Sequence, residues 1–328
     1  MSQMTQTLRA VLQALPTVLS KETEEMKNTN LLLASLLLIT PLAGCSDAQA
    51  NLKDGNTVLV KVGKEKITKE KLFQLMNSTS GAATVIADAT KTISSAEVEV
   101  TDEMKENAEN TLASYKSMYG DTFNSYLEQN NMSEDDYLNK NLIPALQAEK
   151  LPELYIEQNW KKVIKLYEPV KATVLEFTSS DDANNAISAL KDGSKTPAEA
   201  ASENNSSSSG ESKIYTLDDT DLDSTANSVI TNGSPDDGWS MVPTTSGDTV
   251  YVIRVDDNDP DNFKDEAITK LASIDNISSD ANTYFFKKYK FHIYDITIYN
   301  AISSDYPDYL VQNLKDSDSS SSTADSSK

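Results

Sequence analysis

The first apolar feature of the chain is a continuous run over residues 31–39, Leu31-Leu32-Leu33-Ala34-Ser35-Leu36-Leu37-Leu38-Ile39. As a helix it is too short to cross a bilayer core of about 30 Å. Residues 46–56 are polar and without periodicity, which predicts a tether. Alternation then sets in: Thr57-Val58-Leu59-Val60-Lys61-Val62-Gly63 predicts a strand closed by a turn glycine. Leu72, Leu75 and Met76 fall on one face of a helix capped by Thr68, and small polar residues over 78–83 break that pattern. Thr101-Asp102-Glu103 and Ser133-Glu134-Asp135-Asp136 each open a helix with acids in the first turn, the second in capping-box form. That second helix carries Tyr137, Leu138, Leu142, Ile143 and Leu146, with Pro144 and Pro152 predicted to kink or interrupt it. Leu154, Tyr155, Trp160, Val163 and Ile164 continue its stripe.

The texture then changes. Residues 172–177 (Ala-Thr-Val-Leu-Glu-Phe) predict a strand, and Ser180-Asp181-Asp182 cap a helix bearing Ala183, Ile187 and Leu190 that stops near Gly193. A short helix at 198–201, a Ser-rich loop at 204–210 and a second strand at 249–255 complete a small α+β unit. From Phe263 the helical rhythm returns through Ile268, Leu271, Ile274, Tyr284, Phe285 and Tyr289. Residues 291–299 alternate as a strand would, and the Ser/Asp-rich end, 316–328, predicts disorder.

Charge narrows the function. A formal net charge of -22 and a pI near 4.4 exclude a nucleic-acid binder, which needs a basic footprint. The same charge opposes adsorption to anionic lipid. Cys45 and His292 are the only residues of their kinds, so neither a disulfide nor a histidine metal cluster can form, and no cofactor or metal is expected. Asp257, Asp259 and Asp261 approach an EF-hand spacing, but Asn262 stands for the turn glycine and Ile268 for the closing glutamate. No phosphate loop, nucleophilic triad or paired-carboxylate pattern rises above solvated surface. Trp160, Tyr155 and the aromatic residues over 284–289 fit core packing better than a groove.

Met26-Lys27, the apolar run and Leu42-Ala43-Gly44-Cys45 resemble the signal peptide and lipobox of bacterial lipoproteins, in which the cysteine is acylated and becomes the first residue after cleavage. Residues 1–25 precede that complete signal, so the expectation is a start at Met26, with 26–44 as signal and 45–56 as lipidated tether. A diacylglyceryl group on Cys45 suits stable anchoring, which takes about two chains.

Three further stretches carry a second resemblance. Val60-Lys61-Val62-Gly63, with Ile67, Thr68 and Leu72, is close to a "V-x-V-G-x-x-x-I-T-x-x-x-L" opening. Tyr119-Gly120-Asp121-Thr122-Phe123 with Leu127, followed by Met132-Ser133-Glu134-Asp135-Asp136-Tyr137-Leu138, matches a "Y-G-x-x-F-x-x-x-L" helical stretch and its sequel. Leu190-Lys191-Asp192-Gly193 and residues 197–201 sit at an "lk-x-G-x-x-F-x-x-l-A" segment. In this order they resemble the PrsA-type foldase lipoproteins, which share their layout with SurA-type chaperones and carry a parvulin-like peptidyl-prolyl isomerase module. The resemblance implies a mainly α fold with α+β. Residues 57–169 and 262–309 would form one helical chaperone domain, 170–258 an inserted parvulin-like module, and 310–328 a tail.

It also implies an isomerase site that this chain does not match. Parvulin-type sites place histidines in the first and last strands, where Val174 and Tyr251 stand here. The family's "S-x-D" segment becomes Asn204-Asn205-Ser206-Ser207. Its glycine pair and apolar pocket shrink to Gly210-Glu211-Ser212 and Asp218-Asp219-Thr220-Asp221. No catalytic residue is therefore assigned. The expected protein is an extracytoplasmic chaperone of unfolded or nascent exported polypeptides, lipid-anchored through Cys45 and open to homodimerisation. An active isomerase and an envelope ligand-binding lipoprotein are the alternatives.

Overall fold

In the computed structural model the described residues are 52–312, apart from 218 and 245. Cys45, the residues around it and the C-terminal tail lie outside them. The fold is mainly helical with one small antiparallel sheet and a separate hairpin, the class the pattern predicts. The described residues form two compact units: 52–85 with 292–312, and 86–291.

In the first unit, β1 (Val58–Val62) and β2 (Glu65–Thr68) make an antiparallel hairpin in which Lys61 faces Lys66 and Val62 faces Glu65. Gly63 turns it at φ +62°, a left-handed conformation that favours glycine. The Thr68 hydroxyl accepts the Lys71 N–H and starts α1 (Lys69–Met76). The small polar residues that follow do not break this helix. They widen it into a π-helical turn, Asn77–Gly81, with the hydroxyls of Ser78 and Thr79 donating back to the Leu75 carbonyl at 2.9 Å. The chain runs straight on into α2 (Ala82–Glu97).

The alternating segment 291–299 is likewise not a strand. Asp295 accepts the N–H groups of Thr297 and Ile298 and opens α14 (Ile296–Asp305). Ahead of it, the Gln312 amide bonds both the N–H and the C=O of Ile293, satisfying the groups a neighbouring strand would otherwise take.

The second unit begins with helices. Thr101 caps α3 (Asp102–Tyr119), and α4 spans Asp121–Gln129. Ser133 and Asp136 form the capping box of α5 (Glu134–Tyr137), which passes through a π turn (Leu138–Leu142) into α6 (Ile143–Glu149). Pro144 and Pro152 sit in the first turns of α6 and α7 (Leu151–Gln158), where a missing N–H costs nothing. Tyr115, Phe123 and Tyr137 meet edge to face at the centre of this group, with Phe123 and Tyr137 centroids 5.2 Å apart. After α8 (Trp160–Tyr167) comes the sheet, and after the sheet α12 (Lys264–Leu271) and α13 (Asp275–Lys288) return to cover α7. Tyr155, Ile156, Leu271, Ile277 and Phe285 are all buried there.

The sheet has the order β4-β3-β6-β5, antiparallel throughout. Its central strands are β3 (Val170–Phe177) and β6 (Val250–Asp257). The edges are β4 (Ser212–Tyr215) and β5 (Ser240–Pro243). Helices lie on both faces, which is why the central strands read as nearly unbroken apolar runs. One face (Leu175, Phe177, Val250, Val252) is covered by α9 (Ser180–Lys191), capped by Ser179 rather than Ser180, and by α10 (Pro197–Glu203). The other face (Ala172, Val174, Tyr251, Ile253) is covered by α11 (Ser224–Thr231) through Ala226 and Ile230.

Candidate functional site

The two positions singled out on the sheet come together. Val174 pairs with Ile253 and Tyr251 pairs with Glu176, so the two side chains are diagonal neighbours on the α11 face. Both are buried in a layer with Val170, Ala172, Tyr215, Ala226, Ile230, Val242, Ile253 and Val255. Burial pushes the Tyr251 phenol above its usual pKa, against the pull of the Asp223 backbone N–H beside its oxygen. Tyr215, in the same layer, is pushed up to about 12 by burial, with Asp219 and Asp221 adding to the shift. This face offers apolar packing and two phenols held neutral. Glu176, paired with Tyr251, stands on the same face.

The segments flanking this layer have structural work of their own. Ser206 clasps the backbone of Glu176, its hydroxyl accepting the N–H and donating to the carbonyl at 3.1 Å, while the Ser207 N–H reaches the same carbonyl at 2.9 Å. The Asn-Asn-Ser-Ser segment thus stands in for a strand at that edge. Gly210, at φ +78°, lies against α10 so closely that a Cβ would come within 2.6 Å of the Pro197 carbonyl group. Asp219 is tied to Lys270 of α12 at 3.0 Å, and Lys171 to Glu266 at 2.7 Å, so ion pairs bind the sheet to the returning helix.

A polar cluster that sequence reasoning missed sits at the end of the opposite face. Asp256 accepts Arg254 through both Nε and a terminal nitrogen at 2.7 Å. Its second oxygen accepts the hydroxyls of Thr173 at 2.7 Å and Ser212 at 2.5 Å. The guanidinium also stacks over Trp239, 4.7 Å from the ring centroid. An open depression of about 560 Å³ lies over this group, lined also by Gly210 and Pro235. The signal was present in the sequence: Arg254 is one of only two arginines, set in an otherwise apolar strand. Because Asp256 gathers a hydroxyl from β4, a hydroxyl from β3 and the guanidinium of its own strand β6, the cluster acts as a structural clamp joining the three strands.

The remaining candidates resolve into structure. Tyr155 is 2% exposed, with its hydroxyl shared between Asp280 and Lys162 at 3.2 Å. Trp160 donates to Asp261 at 2.6 Å and lies under Lys264. Tyr289 and Lys288 both engage Glu97, at 2.8 and 2.7 Å. The Asp257 and Asp259 carboxylates accept local N–H groups in the turn leading to α12, while that of Asp261 takes the Trp160 indole. His292 is exposed, with its ring 4.6 Å from that of Tyr294. Among the described residues, no three His, Cys, Asp or Glu side chains gather as a metal site would require.

No family model matches the chain. Over 316 residues, 90% of this chain and 99% of the other, it is 26% identical to the foldase protein PrsA of Latilactobacillus sakei. The chain is similar to the PrsA-type foldases. Solved structures that overlap with it include a peptidylprolyl isomerase (PrsA) of Bacillus cereus, at 16% identity, 76% of this chain, 98% of that one and a TM-score of 0.41. Foldase protein PrsA of Streptococcus pneumoniae overlaps at 15% identity, 75% of this chain, 99% of that one and a TM-score of 0.38. The likeness rests on the sequence match along nearly the whole of the Latilactobacillus foldase.

Proposed function

We propose that this chain is an extracytoplasmic chaperone of the PrsA type, held to the membrane by a diacylglyceryl group on Cys45 and acting on unfolded or nascent exported polypeptides. Its parvulin-like module serves as a rigid binding or spacing element and does not catalyse prolyl isomerisation. The observation that carries the second half is the filled, apolar face at Val174 and Tyr251. Lowering a rotation barrier of about 18–20 kcal/mol needs a pocket for the proline ring and oriented polar groups beside it. Here the corresponding face is occupied by α11. The chaperone half is supported by the match to a foldase over 99% of that protein's length.

The test is proline-limited refolding of a model client with and without the protein. The expected result is no acceleration at catalytic amounts and suppressed aggregation at stoichiometric amounts. Acceleration at catalytic amounts refutes the inactive module, and absence of both effects refutes the chaperone reading. Anchoring is read separately, by metabolic labelling with a fatty acid. Cys45→Ser should abolish incorporation and release the protein from the membrane fraction.

A further inference from the structure

The exposed large apolar side chains of the described residues concentrate in the hairpin and the helix that follows it. Every residue of β1 is exposed, and neither β1, β2 nor α1 buries a single side chain. Val62 at the hairpin tip is 66% exposed, and Leu75 and Met76 are each 56% exposed, with Leu59, Val60 and Leu72 also open. A soluble protein rarely leaves so many adjoining large apolar side chains uncovered without a use for them.

The charge of this stretch runs against that of the whole. The chain carries -22, yet Lys53, Lys61, Lys64, Lys66, Lys69 and Lys71 crowd into residues 53–71 against only Asp54, Glu65 and Glu70. All six lysines are exposed, and none of the ion pairs within the described residues uses one of them. Exposed valines and leucines interleaved with unpaired lysines are the composition of an interfacial membrane contact. The apolar groups enter the boundary between headgroups and acyl chains, and the lysines meet anionic headgroups.

Position agrees with composition. Cys45 precedes the first described residue, Leu52, by seven positions. Even fully extended, seven residues reach only about 25 Å. A hairpin tethered that closely to an acylated cysteine is confined to the neighbourhood of the bilayer surface.

We propose that the hairpin tip and α1 form a membrane-docking surface for anionic phospholipid, a second contact beside the acyl anchor. Net charge keeps the rest of the chain off the bilayer while this patch is drawn to it. The two contacts together would fix the orientation of the protein at the surface rather than leave it on a free tether. The inference rests on the anchored reading for its biological setting, but its test does not use the acyl group.

The experiment takes the full chain with Cys45→Ser, which removes the only native cysteine and the acylation site. A single new cysteine, Val62→Cys, is labelled with an environment-sensitive fluorophore. Mixed phosphatidylglycerol–phosphatidylcholine vesicles should shift its emission to the blue, and pure phosphatidylcholine should shift it far less. The same label at Ser194→Cys should not respond. Reversing Lys61, Lys64 and Lys66 to glutamate in the labelled chain should weaken the response by at least about two orders of magnitude in lipid concentration, at roughly fivefold for each lysine lost.

No shift with either vesicle overturns the proposal, as does a shift indifferent to lipid charge and to the lysine reversals. A shift that grows with protein concentration in the absence of lipid would assign the patch to a second copy. One produced by an unfolded client and not by vesicles would assign it to client binding. A positive vesicle result alongside failed fatty-acid labelling of the native chain would leave this surface standing and the anchor refuted.

Discussion

Replacing both Val174 and Tyr251 with histidine gives the sheet the residue type that parvulin-type sites carry at those positions. The packing predicts that it destabilises the protein and restores no activity. Val174 is 4% exposed, in a layer closed by Ala226 and Ile230. An imidazole there overfills the layer, at a cost of about 1–3 kcal/mol. It also buries a ring nitrogen without a partner, at about 1–3 kcal/mol more. Tyr251→His removes the phenol whose oxygen lies at the Asp223 backbone, opening space beneath α11. The double variant should therefore lose about 3–6 kcal/mol, a large part of the 5–15 kcal/mol that holds a typical domain. Urea unfolding followed by tryptophan fluorescence measures the loss, with Trp239 reporting from within the sheet unit. Proline-limited refolding, run below the unfolding midpoint, measures activity. A double variant as stable as the parent, or one that accelerates refolding, would show that this face has room for substrate and that the packing argument is wrong.

Phe285, fully buried between α7 and α13, should cost about 3–5 kcal/mol when replaced by alanine, read as a lowered urea midpoint. Asp256→Ala leaves the Thr173 and Ser212 hydroxyls and the Arg254 guanidinium without their common acceptor, and should cost about 2–3 kcal/mol by the same assay. Asp136 is held at about 2 by the Lys140 ammonium and by the N–H and hydroxyl of Ser133. Its folded pKa is depressed, so the stability it lends is present above the ordinary carboxylate range and is lost as pH falls through about 2. A carboxylate titration by NMR should show that midpoint, and Lys140→Ala should raise it. Gly210→Ala meets both a left-handed backbone and the Pro197 carbonyl, and should lower the thermal midpoint where Gly193→Ala, with open space around it, acts through its backbone alone.

The elements legible in the sequence are those whose stabilising groups are local. Thr68, Thr101 and Ser133 announce helices because a cap and its N–H lie within three residues of each other. The central strands β3 and β6 announce themselves by unbroken apolar runs, since both of their faces are covered. The edge strands β4 and β5 were not visible. Each is four residues long and partly solvated, and Ser212-Lys213-Ile214-Tyr215 alternates too briefly to stand out. Helix α2 hid for a related reason, burying only Ala82, Ile86, Ile93 and Ser94 along sixteen residues rich in Ala, Ser and Thr. Of the clamp at Asp256 only Arg254 stood out in the sequence; its partners did not, because the members come from three strands and meet only through register. That Val174 and Tyr251 stand where the resemblance leads one to expect histidines was legible, because histidines are countable. What packs against these two residues, the Ala226 and Ile230 face of α11, was not.

The pairing of Lys171 with Asp257 gives the sheet unit a property beyond stability. The chain goes into the sheet at Val170 and comes out at Asp257, on neighbouring antiparallel strands, so the two crossing points stand only about 5 Å apart. Everything between them hangs from the helical part as a closed pouch of chain. Such a pouch can grow, shrink or be exchanged in the course of descent without the flanking helices being displaced, because the gap it leaves is nearly that of one peptide bond. It also has a mechanical direction. Tension applied through α8 and α12 reaches the sheet at one end of the β3–β6 ladder. It would peel that ladder open one hydrogen bond at a time, like a zipper, with the Trp160–Asp261 and Lys171–Glu266 contacts as the first teeth to part.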